Sequence, residues 1–170
     1  MKRFIVLSLL MACVFAVKAQ ETQSAFISDG SGVKTNIRNR PKGAVVMSLQ
    51  PSVSYAFNLA TPKNGWWKII SVWNEEDEDD TTARLDGSDT GEYWIHYSVI
   101  GVYTSNYGGQ RLSLRNAPNA KAKVVYSFTE EIELRPMDIQ NGWVKVKANN
   151  GKVGWIEQKW LCANTLTNCC

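Results

Sequence analysis

The hexapeptide Asn64-Gly65-Trp66-Trp67-Lys68-Ile69 decides the fold, because a shift of 77 residues superposes it on Asn141-Gly142-Trp143-Val144-Lys145-Val146. Upstream, the same shift superposes Ile37-Arg38-Asn39-Arg40-Pro41 on Leu114-Arg115-Asn116-Ala117-Pro118 without a gap. Self-similarity at a fixed spacing is the signature of a repeated structural unit. The chain is therefore predicted to contain two copies of one small unit.

Downstream of the hexapeptide, a third match superposes Trp94-Ile95 on Trp155-Ile156, and it needs a shift of 61 residues. The first copy therefore carries 16 additional residues before this match. They surround the acidic run at residues 75–80. We predict that this insert is a solvated loop of mutually repelling charges. Weak cation binding and docking of a basic partner are the alternatives.

Each copy is predicted to form short β-strands. Val144 and Val146 alternate with Lys145 and Lys147, which places the valines on a buried face and the lysines on a wet one. The segment Asn149-Asn150-Gly151 is typical of a tight hairpin turn. No window longer than about ten residues shows helical spacing. Units of this size bury little surface, so small closed sheets are the economical architecture. The predicted class is all-β, with two units in tandem.

The order of these motifs resembles the bacterial SH3-like domain. The second copy carries LxLRxxP from Leu112, then Asn-Gly-Trp with alternating valines, and then Gly-Trp-Ile before Leu161. The first copy, residues 33–103, is interrupted by the acidic insert and lacks the glycine before Trp94. The resemblance implies two tandem SH3-like β-barrels, at residues 33–104 and 110–161. The acidic insert then occupies about residues 74–90, and residues 105–109 are a linker.

The two ends of the chain lie outside these units. Lys2 and Arg3 precede an apolar run at residues 4–17, so residues 1–19 are predicted to be a signal peptide. A lipid anchor on Cys13 is the alternative. Residues 20–32 form an N-terminal segment and residues 162–170 a cysteine-containing tail. No later stretch is long and apolar enough to span a bilayer. The mature protein is expected to be periplasmic or secreted.

The cysteines of the tail are expected to pair after export. Cys162, Cys169 and Cys170 are the three cysteines that remain once the signal peptide is removed. A bridge between Cys162 and Cys169 or Cys170 would close a small loop, and we assign it to Cys162 and Cys169. The third thiol is either free or joins two chains in a homodimer.

Charge and motif content exclude several function classes. Of the 19 basic residues, three lie in the signal peptide, which leaves 16 against 16 acidic residues. A neutral chain has no basic surface for nucleic acid. A calcium loop starting at Asp86 fails because Tyr97 stands where the final carboxylate is required. We expect no metal, no cofactor and no catalysis, since His96 is the single histidine and the cysteines of the mature chain all lie in its last nine residues.

Aromatic residues are the candidate binding groups. Trp66 and Trp143 share the outward side of their strands with lysines, and Trp73 and Tyr97 flank the insert in sequence. Such indoles stack on sugars or pack against peptides. Alternatively, Trp66 and Trp143 cover the end of a core or lie between the units. Trp94 and Trp155 are predicted to be core residues, and Tyr103 and Tyr107 are expected where the two units pack together.

These observations lead to a functional hypothesis. We expect an exported, non-catalytic binding module of the cell envelope, and the resemblance implies peptidoglycan, by its peptide stem or its glycan, as the ligand. Trp66, Trp73, Tyr97 and Trp143 are the predicted contact residues. The alternatives are a scaffold that binds an envelope protein and an accessory of an envelope hydrolase.

Overall fold

A computed structural model describes residues 19–76 and 91–163 of the chain. Within them, thirteen antiparallel strands and two 3₁₀ turns form the regular structure, so the all-β prediction is confirmed. The strands are β1 (Thr22–Ile27), β2 (Thr35–Arg38), β3 (Val45–Leu49), β4 (Tyr55–Lys63), β5 (Trp66–Asn74), β6 (Trp94–His96), β7 (Ile100–Thr104), β8 (Leu112–Arg115), β9 (Val124–Phe128), β10 (Glu133–Gln140), β11 (Trp143–Ala148), β12 (Val153–Glu157) and β13 (Leu161–Cys162). The 3₁₀ turns are Tyr97–Val99 and Gln158–Trp160.

The repeated Asn-Gly pairs form the same tight turn in both halves. Asn64 and Gly65 have φ angles of 52° and 79° between β4 and β5, and Asn141 and Gly142 have 52° and 73° between β10 and β11. Two consecutive positive φ angles match the right-handed twist of a two-stranded hairpin, and Asn and Gly tolerate them. The hairpin predicted at Asn149-Asn150-Gly151 is also present, between β11 and β12.

The two halves of the chain, which contain the two sequence copies, have the same strand order. Neighbouring strands follow the order β3-β2-β6-β5-β4 in the first half and β9-β8-β12-β11-β10 in the second. Register agrees too, because Arg38 lies opposite Trp94 and Arg115 opposite Trp155. Both arginines donate from Nη1 to a carbonyl of the following loop, at 2.7 and 2.8 Å. The arginine of LxLRxxP therefore holds the same loop closed in each half.

The two halves do not form separate closed barrels within the described residues. Their strands form one continuous open ladder from β3 to β9, with β1 and β7 at its centre. The buried apolar side chains of both halves belong to one cluster, which includes the predicted inward residues Val144 and Val146. Trp94 and Trp155 are also buried, as predicted. The all-β class is confirmed. In place of the two predicted barrels, the described residues form one sheet with one core.

The strand β7 is the reason for this continuity. Its first residues, Ile100 and Gly101, pair with β1, while Val102 and Tyr103 pair with β10. Tyr103 and Thr104 also pair with β13 at the end of the chain. One strand thus completes the sheet of both halves. Strand β1, which lies in the segment predicted to precede the first unit, pairs with β4 over five residues.

Side chains also join the halves. Trp67, which is fully buried, donates its indole N–H to the carbonyl oxygen of Pro136 at 2.8 Å. Arg135 Nη1 donates to the carbonyl oxygens of Ser28 at 2.6 Å and Ile100 at 3.0 Å. Of the two residues expected where the units pack together, Tyr103 stacks its ring on Phe26 of β1, with 4.7 Å between the ring centres. Both Tyr103 and Tyr107 remain partly exposed to solvent.

Several predicted features lie outside the described residues. These are the signal peptide and Cys13, most of the acidic insert from residue 77 onwards, and Cys169 and Cys170. Cys162 is buried at the end of β13. In the described ranges, no helix has the length and apolar character needed to cross a membrane.

Candidate functional site

The four predicted contact residues fall in three places. Trp66 and Tyr97 come together in the first half, around His96. Trp143 lies in an equivalent position in the second half, where it lines a groove. Trp73 lines a separate cavity that also borders residues 161–163. All four side chains are half-buried.

The first-half cluster is filled by its own side chains. The Trp66 ring lies 5.1 Å from that of His96, which in turn lies 4.6 Å from the ring of Tyr97. Tyr97 donates its backbone N–H to the carbonyl of Gly65 at 2.9 Å. A Cβ on Gly65 would approach Tyr97 Cδ1 to 2.8 Å, so the tyrosine ring lies directly on the turn. His96 and Tyr97 thus occupy the space beside the Trp66 indole.

His96 caps the 3₁₀ turn that follows it. Its Nδ1 lies 2.8 Å from Ser98 Oγ and accepts from the Ser98 backbone N–H at 3.4 Å. Burial, followed by the positive charge of Lys42, lowers the pKa of the imidazole. The ring is therefore neutral at pH 7. Among the described residues, no group of three or more His, Cys, Asp or Glu side chains is placed to hold a metal ion.

The lowered pKa of His96 predicts how stability depends on pH. Below about pH 6.5, the ordinary pKa of histidine, the unfolded chain binds the proton more readily than the folded chain. Acidification through this range should therefore reduce the His96 contribution to stability, which is recovered above it. An NMR titration of the single histidine should give a midpoint below 6.5, and Lys42→Ala should raise the midpoint partway. A midpoint at or above 6.5 would contradict the packing described here.

The second-half groove is open where the first-half cluster is filled. It has a volume of about 150 Å³ and lies between β8, β11, β12 and the turn Gln158–Trp160. Buried apolar side chains form its base and polar or aromatic ones its walls: Arg111, Leu112, Ser113, Arg115, Trp143, Ile156, Glu157 and Trp160. The concave shape, with two indoles and two guanidinium groups, is typical of a binding groove.

The charges of this groove leave it net positive. Glu157 forms an ion pair with Lys159, whose ammonium also lies 5.7 Å from the centre of the Trp160 ring. Arg115 donates from one nitrogen to the carbonyl oxygen of Ala122, and Arg111 lines the groove just before β8. Guanidinium groups bind carboxylates and phosphates through paired N–H donors. The groove can therefore take an anionic group beside an apolar or ring-shaped one.

The equivalent positions explain why the two halves differ. Glu157 corresponds to His96, Gln158 to Tyr97 and Trp160 to Val99. A Cβ on Gly142 would meet nothing within 4 Å, since no ring covers this turn. Instead, the Gly142 N–H donates to Glu21 at 2.7 Å, and Gln158 donates to the Thr22 carbonyl at 2.6 Å. The start of β1 therefore supports the second turn from the side.

Sequence reasoning missed Arg111, Arg115 and Trp160 as groove residues. Strand alternation assigns faces only within a strand, and Trp160 belongs to a 3₁₀ turn. Arg115 sits in the opening motif, where its register opposite Trp155 brings it to the groove. The available signal was the replacement of Val99 by Trp160 at equivalent positions in two otherwise similar copies.

Comparisons with known proteins support the predicted resemblance of the second unit to a known domain family. Residues 110–161 match the family model of the bacterial SH3 domain, which confirms the resemblance there. No curated protein matches the chain. Among solved structures, the chain is similar to NlpC2 from Trichomonas vaginalis, at 11% identity and a TM-score of 0.32, over 86% of this chain and 50% of that one. It is also similar to NlpC1 from the same organism, at 12% and 0.32, over 94% and 51%. The chain spans about half the length of both.

Proposed function

We propose that this chain is an exported, non-catalytic binding module of the cell envelope, which recognises peptidoglycan through the groove at Trp143. Two observations support the proposal. Residues 110–161 match a family whose members are generally cell-wall-binding modules. The open groove of the fold, with its two indoles and two guanidinium groups, lies in that same segment. The groove is the observation that carries the proposal.

The chemistry of the groove suits a peptidoglycan fragment. Peptide stems end in carboxylates, which Arg111 can pair with, and sugar rings present apolar faces that stack on an indole. Trp143 and Trp160 provide two such indole faces in the groove. Because Arg115 also holds the loop that follows β8, its remaining donors start from a fixed position. The groove therefore offers a preorganised anion site beside an aromatic wall.

The first half serves as a rigid support in this proposal. Its strand order and turns repeat those of the second half, so we propose that the chain descends from two SH3-like units fused through β7. The aromatic surface of the first unit is occupied by His96 and Tyr97. Trp66 then stabilises that unit rather than contacting the polymer. Export through residues 1–19 and a bridge between Cys162 and Cys169 belong to the same proposal.

Co-sedimentation with purified cell-wall sacculi tests the proposal. Protein starting at residue 20 should pellet with sacculi, and Trp143→Ala should weaken binding by about 30-fold, in the range of an aromatic hot-spot residue. Arg111→Gln should weaken it by about tenfold, which tests the anion site without touching an indole.

Trp66→Ala is the matched control, since it removes the equivalent indole from the filled surface. We expect less than a threefold change in binding for this variant, on the order of a near-neutral position. Circular dichroism should show that all three variants fold. If sacculi retain both Trp143→Ala and Arg111→Gln at full affinity, the groove is not the site.

A scaffold that binds an acidic envelope protein is the second candidate. It is favoured by the charge of residues 110–161, which contain nine basic and five acidic residues. Exposed charge pairs weaken as salt rises, because the Debye length falls to about 3 Å at 1 M. A protein partner held in this way should be released by high salt, whereas stacking on sugar rings should persist.

A further inference from the structure

A further cavity lies where the two halves of the sheet meet. It has a volume of about 280 Å³. The end of β4 and the turn that follows it form one wall, and β10 and β11 form the other. The described residues that line it are Pro62, Asn64, Gly65, Met137, Asp138 and Lys145. None of them lines the groove at Trp143.

A β-bulge shapes each wall of this junction cavity. In β10, the register with β11 shifts between Pro136 and Asp138, so Met137 has no partner opposite it. In β4, the register with β5 shifts between Ala60 and Lys63. A bulge bends its strand and turns the neighbouring side chains in a new direction. The cavity therefore lies between two bulges, one from each half.

A buried hydrogen bond holds the two walls together. The indole N–H of Trp67 donates to the carbonyl oxygen of Pro136 at 2.8 Å, and Trp67 is fully buried. Trp67 follows Gly65 of one wall by two residues, and Pro136 directly precedes Met137 of the other. The walls are thus fixed when the chain folds. A ligand that enters the cavity does not have to order them, which favours binding.

Asp138 and Lys145 give the cavity one charge of each sign. They lie opposite each other in the β10–β11 ladder, and both are half-buried. Neither forms an ion pair with a described residue. Asp138 Oδ1 accepts from the backbone N–H of Ile139 at 2.9 Å, which leaves Oδ2 for a ligand. The cavity therefore contains an anion and a cation that both lack an ionic partner.

The remaining lining narrows the class of ligand. Met137 and Pro62 present apolar surface, and the amide of Asn64 offers both a donor and an acceptor. No aromatic ring is among the described lining residues, so a sugar has no face on which to stack. A ligand with a single charge would pair with one charged side chain and be repelled by the other. A small ligand with both charges pairs with both.

We propose that this cavity binds a free α-amino acid, whose ammonium and carboxylate are attached to one carbon. Asp138 pairs with the ammonium and Lys145 with the carboxylate. The Cβ atoms of opposite residues in such a ladder are about 5 Å apart, which suits two ligand charges separated by one carbon.

The apolar lining and the position of the two charges favour this ligand further. Met137 and Pro62 contact its apolar side chain. A direct ion pair between Asp138 and Lys145 would be partly exposed and would contribute little, so a ligand can take its place. The proposal goes beyond recognition of peptidoglycan at the groove and does not rest on it.

Chemical-shift titration with L-leucine tests the site on the protein starting at residue 20. We expect shifts at the Met137 methyl group and at the Gly65 amide. N-acetyl-leucine lacks the ammonium, and leucinamide lacks the carboxylate. Each analogue should bind about fivefold to tenfold more weakly than leucine, on the order of one lost charge-assisted contact.

Asp138→Asn and Lys145→Gln assign the two charges of the ligand. Each variant should weaken leucine binding by about fivefold or more. Asp138→Asn should also bind leucine and N-acetyl-leucine about equally, because the ammonium has lost its partner. Lys145→Gln should bind leucine and leucinamide about equally, because the carboxylate has lost its partner.

Glu131→Gln and Lys147→Gln are the matched controls. They remove the same charges at positions that do not line the cavity, and Lys147 follows Lys145 on the same side of β11. Each should change leucine binding by less than about twofold, because salt screens a charge at a distance.

Equal affinity for leucine, N-acetyl-leucine and leucinamide would overturn the proposal, and so would an absence of shifts with leucine. Unchanged preferences in both Asp138→Asn and Lys145→Gln would overturn it too, as would equal losses in the control variants. The comparison of the three probes uses the unaltered protein, so it decides the proposal even where a variant fails to fold. Each of these results leaves sacculus binding by Trp143 unaffected, so the two proposals fail separately.

Discussion

A fragment of residues 105–163 is expected not to fold by itself, although it contains every residue that matches the bacterial SH3 domain. In the intact chain, β10 pairs with β7 on one side, and β13 pairs with β7. The fragment lacks β7, so it exposes the edge of β10 and leaves β13 without a partner. It also loses Val102, which is fully buried in the shared core. We expect narrow amide dispersion by NMR and no cooperative unfolding transition.

A fragment of residues 97–163 is the control. It retains β7 and the turn before it, and it should recover much of the amide dispersion, because the ladder from β7 to β9 is then complete. A small sheet of this size is marginal without every strand. If the shorter fragment unfolds cooperatively with the stability of the longer one, β7 is not an integral part of the second half.

Trp67→Ala is expected to lower the free energy of unfolding by about 3 to 5 kcal/mol, the usual range for a fully buried Trp. The indole is completely shielded from solvent and donates to the Pro136 carbonyl across the junction of the halves. The substitution leaves a cavity and removes the donor from a buried carbonyl. Urea unfolding followed by circular dichroism measures the change.

Trp66→Ala is the neighbouring control, since Trp66 is half-buried on the opposite side of the same strand. Its loss should cost about 1 kcal/mol or less, in the range of a partly exposed position. Both variants should unfold in a single transition, because one core spans both halves. Two transitions in Trp67→Ala, or equal costs for the two variants, would contradict the single core.

Local features of the fold were predictable because they depend on short-range chemistry. The Asn-Gly turns require positive φ angles, and Val144 and Val146 alternate with lysines, so the strands and their buried faces follow directly from sequence. The internal repeat predicted that Trp94 and Trp155 would occupy equivalent buried positions. Both lie opposite the arginine of the opening motif, whereas the 77-residue and 61-residue shifts had implied only that these positions are equivalent in the two copies.

Long-range pairing was not predictable from the same signals. No pattern within β7 shows that its first residues pair with β1 and its last with β10 and β13. Trp67 stands where the second copy has Val144, and the larger side chain reaches the other half. That replacement of a valine by a tryptophan at a core position was the one local hint that the units are fused.

The candidate site was partly predictable. Trp143 was selected as an aromatic residue on an outward face and Trp73 because it flanks the insert in sequence, and each lines a hollow. Trp66 was selected for its outward face and Tyr97 for its place beside the insert, yet both rings pack against His96. The Tyr97 ring also covers the turn at Gly65. Sequence alternation gives the side of a strand but not what covers it, because the covering residue comes from the 3₁₀ turn.

The shared strand β7 also fixes how the two halves of the sheet lie relative to each other. A tandem protein with a flexible linker loses orientational freedom when its second module engages, and its avidity depends on linker length. Here β7 runs without interruption between the halves. Their relative orientation is therefore already fixed when the chain folds, before any ligand binds. A ligand that contacts both halves therefore meets a surface whose geometry does not depend on the length of a linker.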